Sequence, residues 1–339
     1  MKARPSLGTT VLAAAALIPS QHALAWGATG HRMIGELASG ALPLEVPQFL
    51  RTLESARQLG EVAREPDRSR GAGQPHDADA DPGHRITVGD DLKIGRNGPL
   101  LSALPATREA YDTALRAAGT NEYRAGFLPY SIMDGWQQLV TDLAYWRADV
   151  AGAKNAKNAV ERTWFLRDQY LREGLTVRDL GFLSHFVGDG SQPMHVSVHG
   201  DGWGNFPNPR NFTVRGLHAK FEGRFVRSFI MPKDVTAQLP PYRDCRCSIQ
   251  QRVADYLSES QKNVPALFEI EKAEGFDTAR EANKEFVAKR LAAATAELRD
   301  LIVDAWRRSA EVSVGFPPIA VKDIESGEKN AFGSLQGLD

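Results

Sequence analysis

The stretch Thr176-Val177-Arg178-Asp179-Leu180-Gly181-Phe182-Leu183-Ser184-His185-Phe186-Val187-Gly188-Asp189-Gly190-Ser191-Gln192-Pro193-Met194-His195 decides how this chain is read. Leu180, Leu183 and Val187 recur three and four residues apart, which lines one face of an α-helix. Thr176 with Asp179 resembles a capping box, and Leu175 can staple onto Leu180. A helix is therefore expected to open at Thr176 and to end at Pro193, which has no backbone donor to continue it. His185 and Asp189, four apart, share a face of that helix, so the element that carries the core also carries candidate ligands.

The same periodicity extends along the chain. Thr278 with Glu281 predicts a capped long helix through Phe286, Val287, Leu291, Leu298, Leu301, Ile302 and Trp306. Further helices are expected over 30–41, 46–58, 107–118, 132–152, 157–173, 218–230 and 248–260, with short strand patterns only at 85–88 and 211–214. The expected fold class is all-α, a single helical domain over 26–315. Residues 68–83 read as a flexible polar loop, 199–216 as an ordered loop at a site mouth, and 316–339 as a loosely ordered tail.

With 339 residues, 41 Lys+Arg against 42 Asp+Glu and 42% hydrophobic residues, the chain is excluded from the disordered, collagen-like and coiled-coil classes. A formal charge of −1 supplies no basic excess to hold duplex nucleic acid, so a phosphate-bearing substrate would need a local attraction such as metal ions. Lys2 and Arg4, the apolar run from Val11 to Ile18 and Ala23-Leu24-Ala25 form a signal-peptide pattern over 1–25. Cleavage after Ala25 would make Trp26 the first residue of an exported protein, periplasmic or secreted. Cys245 and Cys247 are separated by one residue, and a small strained bridge, two free thiols and a soft-metal site with no further ligand in reach are all open.

His218 and Glu222 repeat the four-residue spacing of His185 and Asp189, and His195 lies just past the Pro193 break. Two such pairs and a third histidine close together point to metal binding, and imidazole with carboxylate but no thiolate suits zinc. His76 and His199 read as solvated loop histidines.

The order Trp26-Gly27-Ala28-Thr29-Gly30-His31, Pro66-Asp67-Arg68-Ser69-Arg70, His84, His185-x-x-x-Asp189-x-x-x-Pro193-Met194-His195, Asp201-Gly202-Trp203-Gly204-Asn205 and His218-x-x-x-Glu222 resembles the S1/P1 nuclease family within the zinc-dependent phospholipase C / P1 nuclease superfamily. The resemblance implies a multi-helix fold with a buried cleft holding three zinc ions. Asp67, His84, His185 and Asp189 would hold the first, His195, His218 and Glu222 the second, and Trp26 through its backbone amine and carbonyl, His31 and Asp189 the third. Asp67, Asp189 and Arg70 would serve catalysis, with Arg70 beside the substrate phosphate.

The implied activity is hydrolysis of single-stranded DNA, RNA or nucleotides by a metal-activated hydroxide, with no stable protein partner. A phospholipase C acting on phospholipid head groups is the alternative within the superfamily, and Glu222 matches that branch. A non-catalytic exported zinc-binding protein is the alternative outside it. A longer stretch than usual separates His84 from His185, and its Tyr130, Asp134, Trp136, Tyr145 and Trp146 could form a substrate wall. Trp203 and Phe206 could stack on a base, pack in their loop or meet a lipid.

Overall fold

Two long helices, Leu128–Asn155 and Ala159–Ser191, are joined by residues 156–158 and lie against each other along their length. In this computed structural model, residues 26–68 and 75–337 are described; segment 1–25, expected to be a signal peptide, and Arg70 lie outside them. The Ala159–Ser191 helix opens where Asn158 Oδ1 accepts the Glu161 amide at 3.0 Å. It then runs 33 residues, about 50 Å at 1.5 Å per residue.

Thr176, expected as a cap, lies inside this helix. Its hydroxyl donates back to the Arg172 carbonyl at 2.7 Å, which satisfies the polar group without ending the helix. The separate helices expected over 157–173 and from Thr176 are thus one element, because Phe165, Val177, Leu180 and Leu183 are buried along a shared side. Burial of each such side chain favours the helix by about 1.5–3 kcal/mol, more than a weak local stop signal can oppose.

The Glu281–Ser309 helix crosses both partners and buries Leu291, Leu298, Leu301 and Ile302. Its start is secured differently from the expected Thr278–Glu281 box. Asn283 Oδ1 accepts the Arg280 amide at 2.8 Å, while its Nδ2 donates to the Gly275 and Thr278 carbonyls at 2.9 Å each. Gly27–Gly40 fits among Leu53–Val62, Ala159–Ser191 and Glu281–Ser309, with Ile34 in the common core. The described chain is mostly helical, and its only ladder joins Ser313–Val314 to Ile319–Ala320 in antiparallel register.

Neither expected strand forms a ladder. The Ile86 amide donates to His195 O at 2.8 Å, Thr87 N to Ala125 O at 2.6 Å, and Val198 N to Val88 O at 2.9 Å. The bonds of 85–88 are thus shared among separate segments, and their effect is to set His84 beside His195. At 211–214, the carbonyls of Thr213 and Val214 accept from Trp203 and Gly204, which ties the loop closed.

Part of the expected polar loop is helical, with Pro75–Ala80 followed by a 3₁₀ turn over Asp81–His84. The expected loose tail carries the helices Val321–Glu325 and Phe332–Gln336. Val314, Val321, Ile324 and Ala331 bury against Ala144, Ala148 and Ala151 of Leu128–Asn155, so small residues on that helix dock the segment. Among the described residues, no helix is long and apolar enough to cross a membrane.

Candidate metal centre

His185 and Asp189 sit in the last turns of Ala159–Ser191, both fully buried. His31 approaches from the Gly27–Gly40 helix and stacks on His185, with ring centroids 4.0 Å apart. That approach needs Gly188: a Cβ there would lie 2.9 Å from His31 Nδ1. His84 arrives on the 3₁₀ turn, and Asp67 on the short Glu65–Arg68 helix.

Glu222 lies in a π-helical segment, Lys220–Phe225, between buried Phe221 and Phe225. A π turn is wider than an α turn and commonly marks a functional site. Here it follows His218, so the pair expected on a regular helix is brought to one point by a locally widened one.

Three groups converge so that one nitrogen or oxygen from each residue lies within 4.8 Å of the others. They are His31, His185 and Asp189; Asp67, His84 and His185; and His195, His218 and Glu222. The assembly thus joins every described side chain expected to bind metal, and His185 belongs to two groups instead of one. Asp189 Oδ1 faces His31 Nε2 at 3.5 Å, while Oδ2 faces His84 Nδ1 at 3.1 Å and His185 Nε2 at 3.4 Å. One carboxylate therefore presents a separate oxygen to each of the first two groups.

Tautomers test whether these donors suit a cation. His185 Nδ1 donates to Ala63 O at 2.8 Å, His195 Nδ1 to His84 O at 2.6 Å, and His218 Nδ1 to Gly200 O. A carbonyl only accepts, so each Nδ1 carries the hydrogen and a neutral ring keeps its lone pair on Nε2. His195 Nε2 and His218 Nε2 lie 3.0 Å apart, with Glu222 Oε2 close to both. Two lone pairs at that distance repel unless a cation is shared, and nitrogens on tetrahedral zinc sit about 3.3 Å apart given bond lengths of about 2.0–2.1 Å.

Charge leads to the same conclusion. Burial pushes the Glu222 carboxyl above its ordinary range, because its charge is removed from water. Burial, the largest influence on His218, opposes its imidazolium, but the Glu222 charge and hydrogen bond together with the Gly200 carbonyl raise its pKa on balance, so this nitrogen cluster draws positive charge toward Glu222. Among the described residues no lysine or arginine forms an ion pair with Glu222. A cation shared with His195 and His218 would meet that charge without one.

Gln192 is the participant that sequence reasoning missed. It is fully buried, and its Oε1 accepts the Met194 amide at 2.6 Å, which fixes which end of the amide is nitrogen. Nε2 is thereby turned to Glu222 Oε2 and His218 Nε2, 3.0 Å from each. Its only signal in the sequence was a polar residue beside Pro193, inside the ligand motif.

Trp26 is buried, and its indole donates to Ser191 Oγ at 2.7 Å, two residues past Asp189 on the same helix. His76 is exposed beside Asp77 and joins none of the groups. His199 departs from its expected solvated state: it is buried, stacks on Trp203 at 4.0 Å and bonds the Trp203 carbonyl through Nδ1. Trp203 is also flanked by Phe212 and Phe268, so its ring packs within the loop.

Tyr130 and Trp136 donate to the Pro105 and Leu301 carbonyls, and neither walls the cavity that opens at the metal centre. Tyr145 packs on the C-terminal segment and Trp146 donates to Glu173, while Asp134 stays at the surface. A cavity of about 340 Å³ opens over His84, His195 and His218, walled by Asp81, Arg85 and Ser197. No protein-family model matches the chain, and no curated protein matches it.

Proposed function

We propose that the chain is an exported zinc-dependent phosphodiesterase of the S1/P1 nuclease type, acting on single-stranded nucleic acid or nucleotides. The observation that carries this reading is Asp189, whose two oxygens are divided between two histidine groups. A carboxylate in that position would suit two dications held close together. Asp67, His84, His185 and Asp189 would hold one ion, the Trp26 backbone with His31 and Asp189 a second, and His195, His218 and Glu222 the third, so that Asp189 is the shared ligand and His185 offers its one Nε2 lone pair to a single ion. Zinc held there would supply Lewis-acid activation of water near neutral pH and charge neutralisation for a phosphodiester.

The chain's own residues prepare that chemistry. Backbone carbonyls of Ala63, His84 and Gly200 hold three imidazoles in the tautomer that offers Nε2. Asp189, fully buried, holds its orientation through a helix packed on both sides. Gln192 steadies Glu222. The cavity over His84, His195 and His218 leaves room for a phosphate group to reach the centre, which supports catalysis over metal storage. Arg70 is assigned to a nonbridging phosphate oxygen on the family resemblance.

Phospholipase C activity is the second reading, favoured by Trp203, whose ring is stacked on His199 and flanked by Phe212 and Phe268. The test is zinc-loaded protein assayed side by side on single-stranded DNA, RNA, 3′-nucleotides and phosphatidylcholine, with Asp189→Asn as the variant. Asp189→Asn is expected to lower hydrolysis by several orders of magnitude with the helical signal kept. Near-normal hydrolysis by that variant, or full zinc binding by a parent that hydrolyses none of the four, would refute the reading.

A further inference from the structure

The chain carries one chemically reactive feature that plays no part in the metal centre. Cys245 and Cys247 form a disulfide across the single residue Arg246. Cys247 is exposed and Cys245 half-buried, and both border a cavity of about 420 Å³ that Trp136, Tyr242, Ile249 and Arg307 help to wall. We propose that this bridge is a thiol–disulfide exchange site for a small thiol entering that cavity.

The segment does not need the bridge for its position. On one side, Tyr242 donates its hydroxyl to Asp304 Oδ1 at 2.6 Å, and the Arg243 amide donates to Asp300 Oδ2 at 3.0 Å. On the other, Ser248 Oγ accepts the Gln251 amide at 3.2 Å and caps the Ile249–Gln261 helix. Both ends are therefore fixed to helices by hydrogen bonds, and the bridge closes only what lies between them.

What it closes gives it little hold. The chain entropy saved by a cross-link grows with the length of the loop closed, and a loop with one intervening residue is at the low end of that scale. Arg246 stands at φ 50°, the left-handed region that a side chain with a Cβ rarely adopts, and its own side chain is largely exposed. Opening the bridge frees Arg246 to return to negative φ. A small entropic gain set against a backbone cost makes the disulfide easier to reduce than one that closes a long loop.

The exchange balances with a thiol as the reductant. A thiolate attacks the exposed Cys247 Sγ, the S–S bond breaks, and Cys245 leaves as a thiolate that takes a proton from solvent. A second thiolate attacks the outer sulfur of the mixed disulfide, releasing the oxidised reagent as its own disulfide and Cys247 as a thiolate. Two electrons pass from two thiols to the protein.

The experiment equilibrates the full, zinc-loaded chain without oxygen in glutathione buffers, quenches in acid and counts alkylated thiols by intact mass. With about 10 mM reduced and 1 mM oxidised glutathione, the dithiol form is expected to dominate. Arg246→Gly, which can hold positive φ without cost, should shift the equilibrium toward the bridge by about 5- to 30-fold. The double variant Cys245→Ser with Cys247→Ser should keep its helical signal and zinc content. A bridge that stays closed in that buffer, an Arg246→Gly variant that opens as readily as the parent, or a double serine variant that loses its fold would each overturn the proposal and mark the bridge as a structural staple.

Discussion

Asp149→Asn tests a cost built into the packing of the Leu128–Asn155 helix against Ala159–Ser191. Asp149 is fully buried on Leu128–Asn155, and its pKa is pushed from 3.8 to about 8, first by burial and then by the charge of Asp168, with Arg172 opposing. When ionised, neither of its oxygens finds a donor; when protonated, it donates to Asp168. The folded protein therefore holds a proton that the unfolded chain releases. Stability contributed by that proton is complete below the unfolded pKa and falls by about 1.4 kcal/mol per pH unit as pH rises toward the folded value.

At pH 7 the loss amounts to about 4 kcal/mol as an upper bound, since helix relaxation and water entry reduce it. Asn keeps the shape, donates to Asp168 and never ionises. The variant should match the parent within about 1 kcal/mol at pH 4, where the parent's Asp149 is already protonated, and exceed it by about 2–4 kcal/mol at pH 7. Denaturant unfolding of zinc-free parent and variant, read by helical signal at pH 4, 5, 6, 7 and 8, measures the difference. The argument is refuted if the variant's advantage is constant across that range, or if it is the less stable protein throughout.

Other expectations concern the metal centre. Gln192→Leu should weaken one of the three zinc ions by about 10- to 100-fold and leave two unchanged, since the amide holds Glu222 and not the Asp189 groups; cobalt substitution would show it as the loss of one ligand-field signature, and a uniform loss at all sites would contradict it. One alanine left before Trp26 should impair the His31 group more than the His195 group, because an amide nitrogen has no lone pair for zinc; equal zinc content and rate would make Trp26 a packing residue alone. Chelation should abolish hydrolysis and lower the unfolding temperature together, as ligands from distant segments lose their common tie. Unchanged thermal stability after complete zinc removal would show that the fold carries the centre unaided.

Local sequence determined the helical class and most donors. Apolar residues at a 3.6-residue period choose a helix through short-range geometry, and four-residue spacing aligns His185 with Asp189 and His218 with Glu222 before any long-range contact exists. Length of the helices was not legible in this way. Thr176 offers the same capping hydroxyl whether a helix starts there or passes through, and only the neighbours that bury Phe165 and Val177 make it pass through.

Tertiary structure alone decided which donors meet. His84 reaches His195 because 85–88 exchanges backbone bonds with the chain around His195, and Asp67 joins them from a separate helix. The role of Gln192 depends on the Met194 amide and on Glu222, thirty residues away. His199 and Trp203 had the composition of an exposed loop, yet each buries the other's ring, and no residue's own chemistry announces that. The physical reason is common to all of these: hydrogen-bond and ring partners across the fold are set by which surfaces pack, and packing is a property of several segments at once.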